Sequence, residues 1–140
     1  MTHIGLLFMT IGILQFTVIP IFADLNRSHA SNPEWPGHAR NHLVTQVLTT
    51  SSLGILAIYF LWSGRVEQKL GICVAMMCSA AALIPFFLSA SFSRFYGGQL
   101  MPTRMGLGRI RFARVEGNLV NFGLSTVLLV IGRLLIEQTG

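Results

Sequence analysis

Residues 24–42, DLNRSHASNPEWPGHARNH, separate two long apolar runs and fix how the chain is divided. Three of the four histidines of the chain lie in this segment, together with carboxylates and amides. Pro33 and Pro36 restrict their own backbone and that of the preceding residue, and a proline before an apolar run suits the first turn of a helix. The pattern predicts a shaped polar loop that ends in a helix start.

The composition is that of a membrane protein. Of 140 residues, 52% are hydrophobic and 11% are charged, whereas charged residues make up about a quarter of a soluble domain. Because one bilayer crossing takes about 20 mostly apolar residues, four crossings and their loops use up the chain as a single domain, 1–140. We predict an all-α, integral membrane four-helix bundle with two long loops on the same face and helices at about 4–22, 38–62, 70–90 and 114–136.

The basic residues bear on partners and on orientation. The net charge is +5, but Lys and Arg flank the apolar runs and form no basic domain, so we expect no nucleic-acid partner. The loop side holds more of them than the opposite side, namely Arg27, Arg40, Arg94, Arg104, Arg109, Arg111 and Arg114 against Arg65, Lys69 and Arg133. The positive-inside bias then predicts that both loops are cytoplasmic.

Polar residues recur on one face of three predicted helices. They are His3, Thr10, Thr17 and Asp24 in the first run, His38, His42, Thr45, Gln46, Thr49 and Ser52 in the second, and Arg114, Asn118, Asn121 and Ser125 in the last. Polar side chains at membrane depth normally face the bundle interior or a wet cavity. The pattern therefore predicts a half-membrane polar cavity at the loop end.

The histidines of the loop segment are the candidates for chemistry. His38 and His42 stand four apart on a predicted helix, a spacing that lets two imidazoles reach one metal ion, with Zn, Fe or Cu as the candidate divalent cofactor. His29 and Asp24 could complete the ligand set. Alternatively, the same histidines beside Gln46 could move protons on a lipophilic substrate, with His42 buried about 6 Å below His38. A hydrogen-bonded loop plug without chemistry is the third interpretation.

The predicted site residues fall into three groups. The catalytic candidates are His38, His42, Gln46, Asn118 and Asn121; the substrate contacts are Arg94, Tyr96, Arg114 and Trp35; and the metal ligands are His29, His38, His42 and Asp24. For the second group a simpler interpretation stays open. Arginines and aromatic residues near the ends of spans often serve only topology and interfacial anchoring.

The loop resembles one found in a family of small, largely uncharacterised bacterial membrane proteins with the pattern D-x-N-x-[ST]-H-x-x-N-P-x-W-P-x-H-A-[RK]-x-H. The matching residues are Asp24, Asn26, Ser28, His29, Asn32, Pro33, Trp35, Pro36, His38, Ala39, Arg40 and His42. Gly37 and Asn41 stand where bulkier neighbours would be expected. The resemblance implies a four-helix membrane fold and a functional loop, and it brings no known reaction. We expect a multi-pass protein of the bacterial inner membrane.

Two functions fit these patterns, and the sequence leaves open whether the protein is an enzyme. In the first, a His-rich polar cavity at one membrane face binds or acts on a lipophilic small molecule by metal or acid/base chemistry. In the second, the chain is a non-catalytic accessory subunit of a larger membrane complex, and the small residues at 78–82 pack on a partner. Membrane lipids are partners in either case, and a homo-oligomer is a further form of assembly.

Overall fold

The computed structural model describes residues 2–98 and 117–138, and within these ranges every regular element is helical. The elements are α1 (Thr2–Asp24), α2 (Gly37–Trp62), α3 (Gln68–Phe92), a short 3₁₀ helix (Ser93–Tyr96) and α4 (Gly117–Glu137). All four α-helices are long and apolar enough to cross a membrane. The predicted all-α membrane bundle is confirmed. The predicted start of the last helix, at residue 114, lies outside the described residues.

α1 is the central helix of the bundle, because both α2 and α4 pack along it. α3 packs against α2 and touches α1 and α4 only slightly. The helices therefore follow one another around the bundle in the order α4, α1, α2, α3, with a loosely closed seam between α3 and α4. Met9, Ile13 and Phe16 of α1 are fully buried at the centre of the core. Ala57 of α2 and Leu129 of α4 pack into the same cluster.

α1 and α4 meet through small residues spaced seven apart on each helix. Gly5 lies opposite Gly132, and Gly12 lies opposite Ser125, so the two helices run antiparallel. A Cβ atom on Gly5 would stand 2.6 Å from the carbonyl oxygen of Gly132, and one on Gly12 would stand 2.9 Å from that of Ser125. Ser125 Oγ donates a 2.7 Å hydrogen bond to the Gly12 carbonyl. Small residues let the helix backbones approach closely, which is how helices associate in lipid.

Polar contacts join α2 to Thr10 and Thr17, which lie on the polar face of α1. Ser51 Oγ donates to the Thr17 carbonyl at 2.9 Å, and the Trp62 indole N–H donates to Thr10 Oγ1 at 2.9 Å. A Cβ atom on Gly54 would overlap the Thr17 side chain, so the helices are in close contact there. The prediction that the polar residues of α1 face inward is confirmed at Thr10 and Thr17, whereas it is wrong for His3, which is exposed.

The register of these contacts makes α2 extend past α1. Because Ser51 lies against Thr17 and the helices run antiparallel, Asp24 at the end of α1 comes level with Val44. The first residues of α2, 37–43, therefore stand beyond the end of α1. At 1.5 Å per residue this extension is roughly 10 Å, or about two turns.

The two connecting segments 25–36 and 97–116 start at the same end of the bundle. α1 is antiparallel to both α2 and α4, and α3 follows α2 through a short turn that brings Gly71 against the Phe60 backbone. The ends of α1 and α3 and the starts of α2 and α4 thus lie on one side, as predicted. Most of the second connection lies outside the described residues.

Replacing Ser125 by alanine is expected to lower the free energy of unfolding by about 1 kcal/mol, because it removes one interhelical hydrogen bond while the Gly12 carbonyl keeps its place in the helix. Ser91→Ala is the matched control, since Ser91 is exposed and bonds only to the Phe87 carbonyl of its own helix. Reversible unfolding in mixed micelles measures both. An equal loss in the two variants would contradict a role for Ser125 in joining the helices.

Candidate functional site

Two asparagines hold the loop that precedes α2. Asn26 Nδ2 donates to the Phe22 and Ala23 carbonyls at 3.0 and 2.7 Å and so caps α1, while its Oδ1 accepts the Ser28 backbone N–H at 2.8 Å. Asn32, only 8% exposed, donates to the Ser28 carbonyl and accepts the Glu34 backbone N–H. Such side-chain to backbone bonds replace the hydrogen bonds that a helix would supply. The loop therefore has a defined shape.

His29 and Trp35 contact each other within this loop. Their rings meet edge to face with centroids 5.4 Å apart, and His29 Nδ1 lies 2.8 Å from Ser28 Oγ. The Asp24 carbonyl accepts the Ala30 backbone N–H at 3.1 Å, which draws the start of the loop back onto the end of α1. Two residues predicted for different roles, metal ligand and substrate contact, thus form one packed unit.

His38 and His42 form a close pair on the first turns of α2. Their Nε2 atoms lie 2.9 Å apart, and the rings meet edge to face with centroids 4.4 Å apart. At this distance an Nε2–H on either ring can donate to the lone pair of the other nitrogen, and the tautomers decide which ring is the donor. Two nitrogens on one tetrahedral metal ion at 2.0–2.1 Å would stand about 3.3 Å apart. The pair is arranged to share either one proton or one metal ion.

The four predicted metal ligands do not come together. Among residues 2–98 and 117–138, no group of three or more His, Cys, Asp or Glu side chains is placed to hold a metal ion. His38 and His42 contact each other, whereas His29 is engaged with Ser28 and Trp35. The described chain thus supplies two nitrogen ligands at one point rather than a complete set.

The prediction that His42 is buried and that Gln46 faces an internal cavity is wrong. Both side chains are exposed, as are Thr45, Thr49 and Ser52 on the same face of α2. The buried residues of this helix are Val47, Ser51, Gly54, Ala57 and Leu61, and at 100° per residue the polar set lies roughly 150° away from them. Small residues allow α1 and α3 to approach the opposite face. The polar face of α2 therefore points outward.

Two polar residues of α4, Asn121 and Ser125, join it to α1. Asn121 Nδ2 donates to the Gln15 carbonyl at 3.4 Å, a weak bond, and Asn118 is half-buried one turn nearer the loop end. Gln15 was not among the predicted site residues. Its buried Oε1 has no hydrogen-bond partner among the described residues. A single amide at the centre of an otherwise apolar span is the sequence signal that would have identified it.

The predicted substrate contacts of the second connection lie at the loop end where they are described. Arg94 and Tyr96 are exposed on the 3₁₀ helix after α3. The Tyr96 hydroxyl donates to the Ser89 carbonyl at 2.8 Å, which folds the ring back along α3. Arg114, predicted with them, lies outside the described residues.

An apolar cavity of about 160 Å³ lies in the loose seam between α3 and α4. It is lined by α3 residues within 76–87 and by Thr126, Leu129 and Val130 of α4. This cavity is partly open to the outside of the bundle. None of the predicted site residues lines this cavity, so it is separate from the histidine pair.

Comparisons with protein-family models, with curated proteins and with solved structures find no match for this chain. The resemblance of the loop to the bacterial membrane family stays a prediction from its residues.

Proposed function

We propose that the protein is a multi-pass protein of the bacterial inner membrane that binds a lipophilic small molecule and acts on it through His38 and His42. The observation that carries the proposal is the 2.9 Å contact between the two Nε2 atoms. Imidazole is the side chain whose protonation changes most readily near neutral pH, and neutral imidazole is also the commonest metal ligand. Acid/base catalysis and metal-assisted catalysis are therefore the two forms of the proposal.

The position of the pair supports a site rather than a packing contact. Both rings are exposed, whereas the histidine in the loop, His29, is half-buried against Trp35. Packing inside the bundle therefore does not account for the pair. The asparagine-held loop directly before α2 fixes where the helix starts and hence where the two rings stand. A candidate acid or base must be accessible to the group on which it acts.

The accessory-subunit alternative has less support. It depends on the small residues at 78–82 being available for a partner, but Ser79 is only 1% exposed. Cys78 and Ala82 pack against the core of the same chain. Most of these small residues are therefore used within the bundle, although Ala81 is exposed.

Replacing His42 by alanine is expected to lower turnover of the lipophilic substrate about 100-fold or more, since positioned acid/base groups contribute roughly that factor. The test incubates the purified protein, in nanodiscs, with the lipid extract of the membranes that produced it, and follows compounds consumed or retained by mass spectrometry. His3→Ala is the control, because His3 is an exposed histidine at the opposite end of α1. Identical compound profiles for wild type and His42→Ala would contradict the proposal.

A further inference from the structure

The polar side chains on the outward face of α2 differ in their hydrogen bonding from the fully buried hydroxyls of the bundle. Thr45, Gln46, Thr49 and Ser52 are exposed, and no side-chain hydrogen bond joins any of them to another described residue. The fully buried hydroxyls of the described helices all have partners: Thr17, Ser51, Ser79 and Ser125. Unpaired polar side chains facing hydrocarbon are costly, so such faces in membranes are normally covered by protein.

The histidine pair lies on this same face and is incomplete as a metal site. It offers two nitrogen ligands, and no third His, Cys, Asp or Glu of the described chain joins them. A tetrahedral site takes four ligands, or three and a solvent molecule. Whatever covers the face is therefore in a position to complete the site.

We propose that a second copy of this chain covers the outward face of α2, and that His38 and His42 of both copies hold one divalent transition-metal ion between them. Zinc is the first candidate, because it takes tetrahedral imidazole ligands. The inference rests on the metal-assisted form of the proposed function and adds to it the partner that supplies the missing ligands; the substrate would then bind as a fifth ligand of the ion.

Membrane topology favours a second copy over a foreign chain. Two copies inserted in the same orientation are related by a twofold axis along the membrane normal, so their α2 helices run parallel and place identical residues at identical depth. The two histidine pairs then meet at the same level. A foreign subunit would need its own ligands at that depth, whereas the second copy necessarily has them.

The rest of the face is self-complementary. The Gln46 amide and the hydroxyls of Thr49 and Ser52 are each both donor and acceptor, so each can pair with its equivalent across the axis. The Nε2 separation of 2.9 Å needs to open only slightly, to about 3.3 Å, for both nitrogens to bind one ion. The ion would replace the shared proton as the bridge within each pair.

The experiment combines metal analysis with cross-linking of the full chain in nanodiscs loaded with two or more copies. The background carries Cys73→Ser and Cys78→Ser, because both cysteines are free. Thr49→Cys tests the proposed interface, and Val127→Cys on the exposed face of α4 is the matched control. Zinc is titrated into wild type, His42→Ala and His3→Ala, and bound zinc per chain is measured after desalting.

The expected result is about one zinc ion per two chains in wild type and His3→Ala, background zinc in His42→Ala, and disulfide-linked dimers only through position 49. Removing zinc with a chelator should reduce the cross-linked fraction. One zinc per chain, zinc binding unchanged in His42→Ala, or equal cross-linking at positions 49 and 127 would each overturn the inference. None of these readouts depends on the lipophilic substrate, so a failure here is distinct from a failure of the proposed function.

Discussion

Replacing Gly132 by leucine is expected to prevent α4 from packing on α1 and to leave little folded protein. A Cβ atom at this position would stand 2.6 Å from the Gly5 carbonyl oxygen and 2.9 Å from the Met9 backbone nitrogen. Both are backbone atoms of the central helix and have no side-chain freedom with which to move away. Alanine alone should cost about 1–3 kcal/mol, as overpacking usually does, and leucine adds three further carbons at the same point.

Gly123→Leu is the control for this prediction, because Gly123 lies in the same helix and a Cβ atom there meets nothing within 4 Å. Size-exclusion chromatography and thermal unfolding in detergent measure both variants. We expect Gly123→Leu to behave as wild type, since leucine also favours the helix over glycine. A folded, monodisperse Gly132→Leu protein would show that α4 is not held to α1 by this close contact.

The second large effect concerns the histidine pair, whose members should behave as one unit. We expect His38→Ala and His42→Ala each to abolish most activity, and most metal binding if a metal is bound, while the double variant loses little more. The reason is that the single contact between the two Nε2 atoms is already lost in either single variant, so the effects are not additive. Steady-state turnover and elemental analysis of the four proteins provide the double-mutant cycle.

Adding His29→Ala to each member of the cycle controls for general effects of removing a histidine, because His29 contacts Ser28 and Trp35 instead of the pair. Its effect should be the same in every background. Proton transfer without a metal would leave metal content at the blank level in all proteins while turnover falls and its pH dependence moves. Losses in His38→Ala and His42→Ala that simply multiply in the double variant would contradict a shared site.

The four spans could be predicted from sequence, because span length and hydropathy are local properties. The inward direction of Thr10 and Thr17 could also be predicted, because polar residues recur every seven positions in an otherwise apolar helix. The outward direction of the polar face of α2 could not. Periodicity shows which residues share a face but does not show which face the neighbouring helices cover. Here Ser51, Gly54 and Ala57 offered a closer approach on the other side, and close packing prevailed over the tendency of polar side chains to face inward.

The exposure of His42 could not be predicted either, because it depends on contacts between residues that are far apart in the sequence. Its depth is set by which residue of α2 lies against which residue of α1, and the Ser51 to Thr17 contact that fixes this register joins positions far apart in the chain. The pairing of His38 with His42, in contrast, followed directly from their spacing of four on a helix. The local part of the site was predictable, and its placement relative to the bundle was not.

The extension of α2 past the end of α1 bears on how the histidine pair exchanges with its surroundings. α2 has 26 residues and is about 39 Å long, whereas the hydrocarbon layer is about 30 Å thick. With Trp62 at one interface, residues 37–42 reach the headgroup layer at the other, where water and dissolved ions meet the imidazoles directly. A thicker bilayer would submerge the pair unless α2 tilts less. We therefore expect local membrane thickness to affect how readily protons reach His38 and His42.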